Sequence, residues 1–386
     1  MNYKKTGIFC FGLMMILLTS AFGQGSFYTQ MEDLTPSSKA SILMEYETGE
    51  VLNEQNSLEQ LPIASVTKLM TILLTMENLE NGNLTLEQKI TASENASSMG
   101  GSQVFIDANA EYQVKNLLKA VIVASANDAS VALAEEIAGS EEVFVEQMNQ
   151  KAKELKLENT NYVNCTGLPA PSQYSCAKDV AVIMREILNY PLYFEISKIW
   201  IEDFEHPSGR VTGMANTNKL VRFYNGCDAG KTGSTNEAGF CLCATAKRNG
   251  IRLISVVLGS PSSKERFKDA STQFDWGFKN FESVKLVSTE NNLAENVKLE
   301  KAKEDNLIIS AEEDFCKVVK RGNKPNYDVT IELPKKLQAP LKMGDAVGKI
   351  IVTEDGEVKK EINIIVKENV QSKNYFETTK TILKDW

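Results

Sequence analysis

The sequence predicts an α+β chain in which helices pack on an antiparallel sheet, followed by a small all-β domain. Three observations carry this reading. Strand-like segments both open and close the first part of the chain, while helical periodicity fills its middle. After about residue 280 that periodicity gives way to short alternating strands separated by turn clusters. A length of 386 residues with 42% apolar content is enough for two or three packed domains.

In chain order, Lys4 and Lys5 precede an uncharged apolar run from Ile8 to Leu18, which ends in Ala21-Phe22-Gly23. This is the layout of a secretory signal peptide over residues 1–23, too short to span a bilayer comfortably. An exported protein starting near Gln24 is therefore expected. Ala40–Tyr46 and Glu50–Asn53, separated by Thr48-Gly49, read as a β-hairpin opening the first domain, residues 24–280. A helix is predicted from Ser65 to Glu80, stopped by Asn81-Gly82. Further helices are predicted over Val114–Ser125, Asp128–Ile137, Glu141–Leu155 and Ala177–Leu188. Gly239–Lys247 and Arg252–Leu258 read as strands joined by Asn249-Gly250, and a helix over Lys264–Phe278 closes the domain.

The second domain is expected over residues 281–370, with strands at Tyr327–Leu333, Gly348–Val352 and Ile362–Val366 and a turn at Asp355-Gly356. In residues 371–386, Tyr375, Phe376, Thr379, Ile382, Leu383 and Trp386 fall on one helical face. That pattern suits either an amphipathic helix making peripheral membrane contact or an ordinary helix packed on the domain.

A formal charge of −9 without a basic block disfavours nucleic acid as a partner, and none is expected. Six cysteines follow the leader: Cys165, Cys176, Cys227, Cys241, Cys243 and Cys316. Their spacing makes no disulfide framework, and they read as small core residues. There is no C-x-x-C pair and His206 is the only histidine, so neither a zinc site nor any other metal or cofactor is expected.

The chemistry lies in three short motifs. In Ser65-Val66-Thr67-Lys68 a spacing of three puts both side chains on one helical face. A serine hydroxyl needs a base to become a nucleophile, and a lysine serves only when its amine is uncharged. Alone the motif is weak, arising by chance roughly once in such a chain. A second copy, Ser175-Cys176-Ala177-Lys178, reads as the N-cap of the following helix, with Ser175 as the cap. Ser125-Ala126-Asn127 sits at an inter-helix corner, where serine could relay a proton and asparagine bond a substrate amide; both could equally be helix caps. It too is weak, since Ser93-Glu94-Asn95 matches it in what reads as a loop. Lys231-Thr232-Gly233 is rarer and precedes a strand. An edge strand there offers backbone for an extended peptide, with a cation, a hydroxyl and room for close approach.

The three motifs, in this order, resemble those of the low-molecular-mass penicillin-binding proteins, specifically the D-alanyl-D-alanine carboxypeptidases of the S11 peptidase family. Pro62–Ser65, Met99–Ser102, Ser125–Ser130, Asn216–Lys219 and Gly230–Gly239 extend the likeness. The resemblance implies a β-lactamase/transpeptidase-like first domain and removal of the terminal D-alanine from peptidoglycan stem peptides, with β-lactam antibiotics as inhibitors. It implies Ser65 as nucleophile, Lys68 as its base and Ser125 as proton relay. Asn127 would hold the peptide, Lys231 and Thr232 its terminal carboxylate. The backbone N–H groups of Ser65 and Ser234 would form the oxyanion hole, with Gly233 between the binding residues. Ser234 stands where relatives often carry histidine or an aromatic residue. A family arginine has no clear counterpart in Asn216-Thr217-Asn218, which places more of the anion binding on Lys231.

Rival readings have weaker support. A class A β-lactamase needs an E-x-x-L-N loop, and Glu186-Ile187-Leu188-Asn189 is one residue short and lies in a predicted helix. A Ser-His-Asp hydrolase would depend on His206, without a G-x-S-x-G elbow. A non-catalytic wall-binding protein would have no need of Ser65, Lys68 and Lys231 together.

Overall fold

A computed structural model describes residues 33–303, 306–323 and 327–373. The expected signal peptide and the amphipathic face from Tyr375 to Trp386 lie outside the described residues. Five antiparallel strands form the central sheet, in the order Val51–Gln55, Ala40–Glu45, Ile251–Ser260, Gly239–Arg248 and Cys227–Thr235. The opening hairpin thus pairs with a strand some two hundred residues later, as the α+β reading requires, for Ile42 lies opposite Val256. Strand alternation sends neighbouring residues to opposite faces. Ile42, Met44, Ile254 and Val256 enter a large core shared with the helices. Leu43, Leu253 and Val257 enter a second core with Phe274 and Phe278 of the Ser263–Asn280 helix. Gly277 lets that helix come close, since a Cβ there would sit 2.6 Å from Leu253 Cδ1.

The helices fall near their expected places, with informative differences at their ends. The first long helix runs Lys68–Glu80 and is entered through a 3₁₀ turn, Ala64–Thr67. The helix predicted over Val114–Ser125 is α-helical over Val114–Lys119 and then widens into a π turn, Ala120–Ala124, which ends on Ser125 in the left-handed conformation (φ 63°). The next helix, Asn127–Ala138, follows at once. Such π turns recur where a helix must redirect side chains.

Two local expectations are corrected. Ser175 does not cap the Ala177–Ile187 helix; Cys176 does, its sulfur accepting the Asp179 N–H. The Ser175 backbone is committed instead to a bridge with Leu61, and its hydroxyl to Thr160. Ser93 is not in a loop but caps a short helix, Glu94–Ser97, through the Ala96 N–H.

From Phe281 onward the described residues form strands and a single 3₁₀ turn. Ile309–Ala311, Glu357–Val366, Ala346–Glu354 and Tyr327–Glu332 make a four-stranded sheet. Ile350, Val352, Ile362, Ile364 and Val366 supply its own apolar core. The six described cysteines are unpaired; five are buried, and Cys241 and Cys243 point from one strand face into the main core.

Candidate active site

The turn that carries Ser65 is held in a conformation its sequence would not choose. Ala64, just before Ser65, has φ 48°, which is unfavourable for an alanine. Two glycines make room for it. A Cβ on Gly167 would lie 2.0 Å from the Ala64 carbonyl oxygen, and one on Gly233 2.8 Å from the Ser65 nitrogen. The turn is thus clamped between the Gly167 loop and the edge strand Cys227–Thr235. The close backbone approach expected at Gly233 is seen, and the backbone that approaches is the Ser65 turn itself.

Lys68 follows one turn later and is fully buried. Its Nζ lies 3.0 Å from Ser65 Oγ, 2.6 Å from Asn127 Oδ1 and 2.6 Å from the Thr166 carbonyl oxygen. Burial pulls its pKa from 10.5 down to about 7, against smaller opposing effects of Cys165 and Asp128. A large share of free amine is therefore present at neutral pH.

Ser125 and Asn127 converge on the same point. The left-handed Ser125 ends the π turn, so its hydroxyl projects from the corner to meet Lys231 Nζ at 2.7 Å. Asn127 is no cap: no side-chain bond caps its helix, and its amide bridges Lys68 Nζ and the Gly100 carbonyl oxygen, 2.6 Å away. Lys231 is also fully buried, and donates besides to the Thr232 carbonyl. Burial, then the charges of Lys68 and Arg266, hold its pKa well below the ordinary value. Thr232 is nearly buried, whereas Ser234 is exposed at the strand edge. A cleft of about 210 Å³ flanks the turn, lined by Ile63, Ala64, Gly167, Leu168, Thr235 and Glu237. A second, of about 570 Å³, opens beyond Ser234.

Several supporting groups carry no sequence signal. The Thr166 carbonyl meets Lys68 from 98 residues away. Asp128 is fully buried and accepts the Val104 and Ile106 N–H groups, pinning the preceding loop beside Asn127. Arg266, on the helix behind the sheet, donates to the carbonyls of Gly233 and Cys241 and so fixes the edge strand. Asn216 and Asn218 are committed to backbone carbonyls. Asn216 bonds the Ser197 and Ile199 carbonyls, and Asn218 the Ala229 carbonyl. His206, buried against Tyr112 and Thr212, stands in a cluster with Asp107 and Arg210 and bonds neither Ser65 nor Lys68.

Comparison with known proteins adds the following. Residues 28–262 match the family model described as D-alanyl-D-alanine carboxypeptidase, and residues 281–372 that described as penicillin-binding protein 5, C-terminal domain. D-alanyl-D-alanine carboxypeptidase DacF of Bacillus subtilis is 37% identical over 380 residues, covering 97% of each chain. Penicillin-binding protein 5 of Haemophilus influenzae is similar in structure, with TM-score 0.68 and 33% identity, over 87% of this chain and 98% of that one. Penicillin-binding protein D2 of Listeria monocytogenes, solved in an ampicillin-bound form, matches 63% of this chain and 98% of its own, with TM-score 0.54 and 32% identity.

Proposed function

The chain belongs to the D-alanyl-D-alanine carboxypeptidase family, and from that premise we propose that Ser65 is the nucleophile of its serine-type D-Ala-D-Ala carboxypeptidase activity. The observation that carries this assignment is the 3.0 Å separation of Ser65 Oγ from a buried Lys68 amine whose pKa is about 7.

In this reading, neutral Lys68 takes the Ser65 proton as Oγ attacks the carbonyl of the penultimate D-alanine of a peptidoglycan stem peptide. The developing oxyanion rests on the backbone N–H groups of Ser65 and Ser234. Collapse of the tetrahedral adduct breaks the peptide bond, and Ser125 passes a proton to the departing D-alanine amine. Its contact with Lys231 orients the Ser125 hydroxyl for that transfer. Lys231 and Thr232 take the terminal carboxylate, and Asn127 the peptide amide. Water then cleaves the acyl-enzyme, freeing the shortened peptide and Ser65. A β-lactam acylates the same oxygen. Burial is what favours the free Lys68 amine beside Ser65, while the charge of Lys68 adds to burial in lowering the pKa of Lys231.

The leader pattern of residues 1–23 supports export to the cell envelope, where peptidoglycan lies. The apolar face of residues 371–386 supports peripheral contact with the membrane.

The test is direct. Wild type should be labelled by a fluorescent penicillin and should release D-alanine from a stem pentapeptide, read by mass analysis; Ser65→Ala should do neither. Label or turnover that survives in Ser65→Ala refutes the assignment.

A further inference from the structure

We propose that Arg266 is a positioning residue for the oxyanion hole: its guanidinium holds and polarises the Gly233–Ser234 peptide unit, whose N–H is one of the two donors. The inference rests on the carboxypeptidase reading and deepens it. The Gly233 carbonyl and the Ser234 N–H are the two ends of one planar trans amide, so they point in opposite directions. Arg266 Nη1 donates to the Gly233 carbonyl oxygen at 3.0 Å and to the Cys241 carbonyl oxygen at 3.2 Å. Gly233 lies opposite Cys241 in the antiparallel pair. One nitrogen can span both oxygens only if both face the space between the two strands. Cys227–Thr235 is an edge strand of the central sheet, so an amide whose carbonyl turns inward presents its N–H at the free edge. The other donor is near, because a Cβ on Gly233 would lie 2.8 Å from the Ser65 nitrogen. That places the Ser65 and Ser234 nitrogens within about 6 Å of each other.

The anchor is a charge where a neutral group would hold the strand. Arg266 belongs to the Ser263–Asn280 helix and is buried. Its third bond goes to the Ser263 hydroxyl, and among the described residues its Nε has no partner and no carboxylate pairs with it. The rings of Phe240 and Phe267 lie 5.5 and 4.8 Å from the guanidinium carbon. Burial brings its pKa from 12.5 down to about 10, so the group keeps its charge at neutral pH. Burying a cation without a counter-charge is costly, and fastening two carbonyls does not require one.

What the charge adds is polarisation. An ionised donor makes a stronger hydrogen bond than a neutral one. Drawing electron density onto the Gly233 oxygen leaves the Ser234 N–H a stronger donor at the far end of the same amide. The benefit grows as negative charge builds on the substrate oxygen, so it acts on the transition state more than on bound substrate.

Arg266→Gln keeps an amide donor and removes the charge; Arg266→Lys keeps a charge. The probe is benzylpenicillin labelled with ¹³C at its β-lactam carbonyl, which becomes the ester carbonyl on Ser65. In wild type the infrared stretch of that ester should lie below that of the same acyl-enzyme unfolded in guanidinium chloride. In Arg266→Gln it should move back toward the unfolded position. The acylation rate constant at saturating benzylpenicillin should fall roughly tenfold, with the half-saturating concentration nearly unchanged. Arg266→Lys should recover part of both effects. If Arg266→Gln does not fold, Arg266→Met fills the same buried space without a polar atom and gives the same reading. A stretch that stays at the wild-type position in the uncharged variant overturns the inference. So does an Arg266→Lys as impaired as Arg266→Gln, which would mark the side chain as a brace for the strand. A wild-type ester whose stretch is no lower than the unfolded one lacks an oxyanion hole, and the carboxypeptidase mechanism then fails together with this inference.

Discussion

The first domain and the C-terminal β region solve burial in opposite ways. The β region fills its core with Ile309, Ile350, Val352, Ile362, Ile364 and Val366, and among its described residues the one buried polar side chain is Ser310. Its charges stay outside as exposed pairs such as Lys349–Glu361 and Lys359–Glu357. The first domain instead buries Lys68, Lys231, Asn127, Asp128 and Arg266 around one serine. Burying an unneutralised cation is expensive, and a fold built only for stability would use an apolar residue of the same size. Stability is given up in one region, where the proposed chemistry needs a depressed amine pKa, and conserved in the other.

That contrast can be broken at Lys68. Lys68→Met keeps the volume and removes the amine, and should reduce acylation of Ser65 by roughly a hundred- to ten-thousandfold. It should also raise the melting temperature. The folded-state pKa of about 7 lies below the ordinary value of 10.5, so unfolding takes up a proton between those values. The cost of burying the lysine is therefore full below pH 7 and fades as pH rises toward 10.5. The gain from methionine should accordingly be larger at pH 6 than at pH 9, as scanning calorimetry at the two pH values would reveal. A loss of stability at both would mean that Lys68 is a structural cation.

The matching substitution in the other region should do almost nothing. Lys349 pairs with Glu361 at 2.8 Å, with both side chains about half exposed. Lys349→Met should leave the melting temperature unchanged within experimental scatter and acylation untouched. A clear loss in either would show that the β region supports the site through its surface charges and does not merely carry them.

The division also explains what was legible in the sequence. Hairpin turns, helix stops and strand alternation are local, and the strands at Ala40–Glu45 and Gly239–Arg248 fall within a residue of where those signals put them, while the one expected over Ile362–Val366 starts earlier, at Glu357. Ser65, Lys68, Ser125, Asn127, Lys231 and Thr232 stood out because their motifs are short and ordered, and the fold does gather them. What stayed hidden depends on contacts distant in sequence. Nothing near Thr166 announces that its carbonyl meets Lys68. Ser175 looked like a cap because the rule for caps ignores a strand bridge to Leu61. The π turn before Ser125 and the left-handed Ala64 are likewise imposed by the packing around them, against local preference.

Everything in the mechanism turns on an uncharged amine one helical turn from Ser65. The most direct measurement is the titration of Lys68 itself, followed by NMR of the protein with ¹⁵N-labelled lysine side chains and assigned with Lys68→Met. A midpoint near pH 7 is the predicted result. A Lys68 that stays protonated until about pH 10, as an exposed lysine does, would contradict the account.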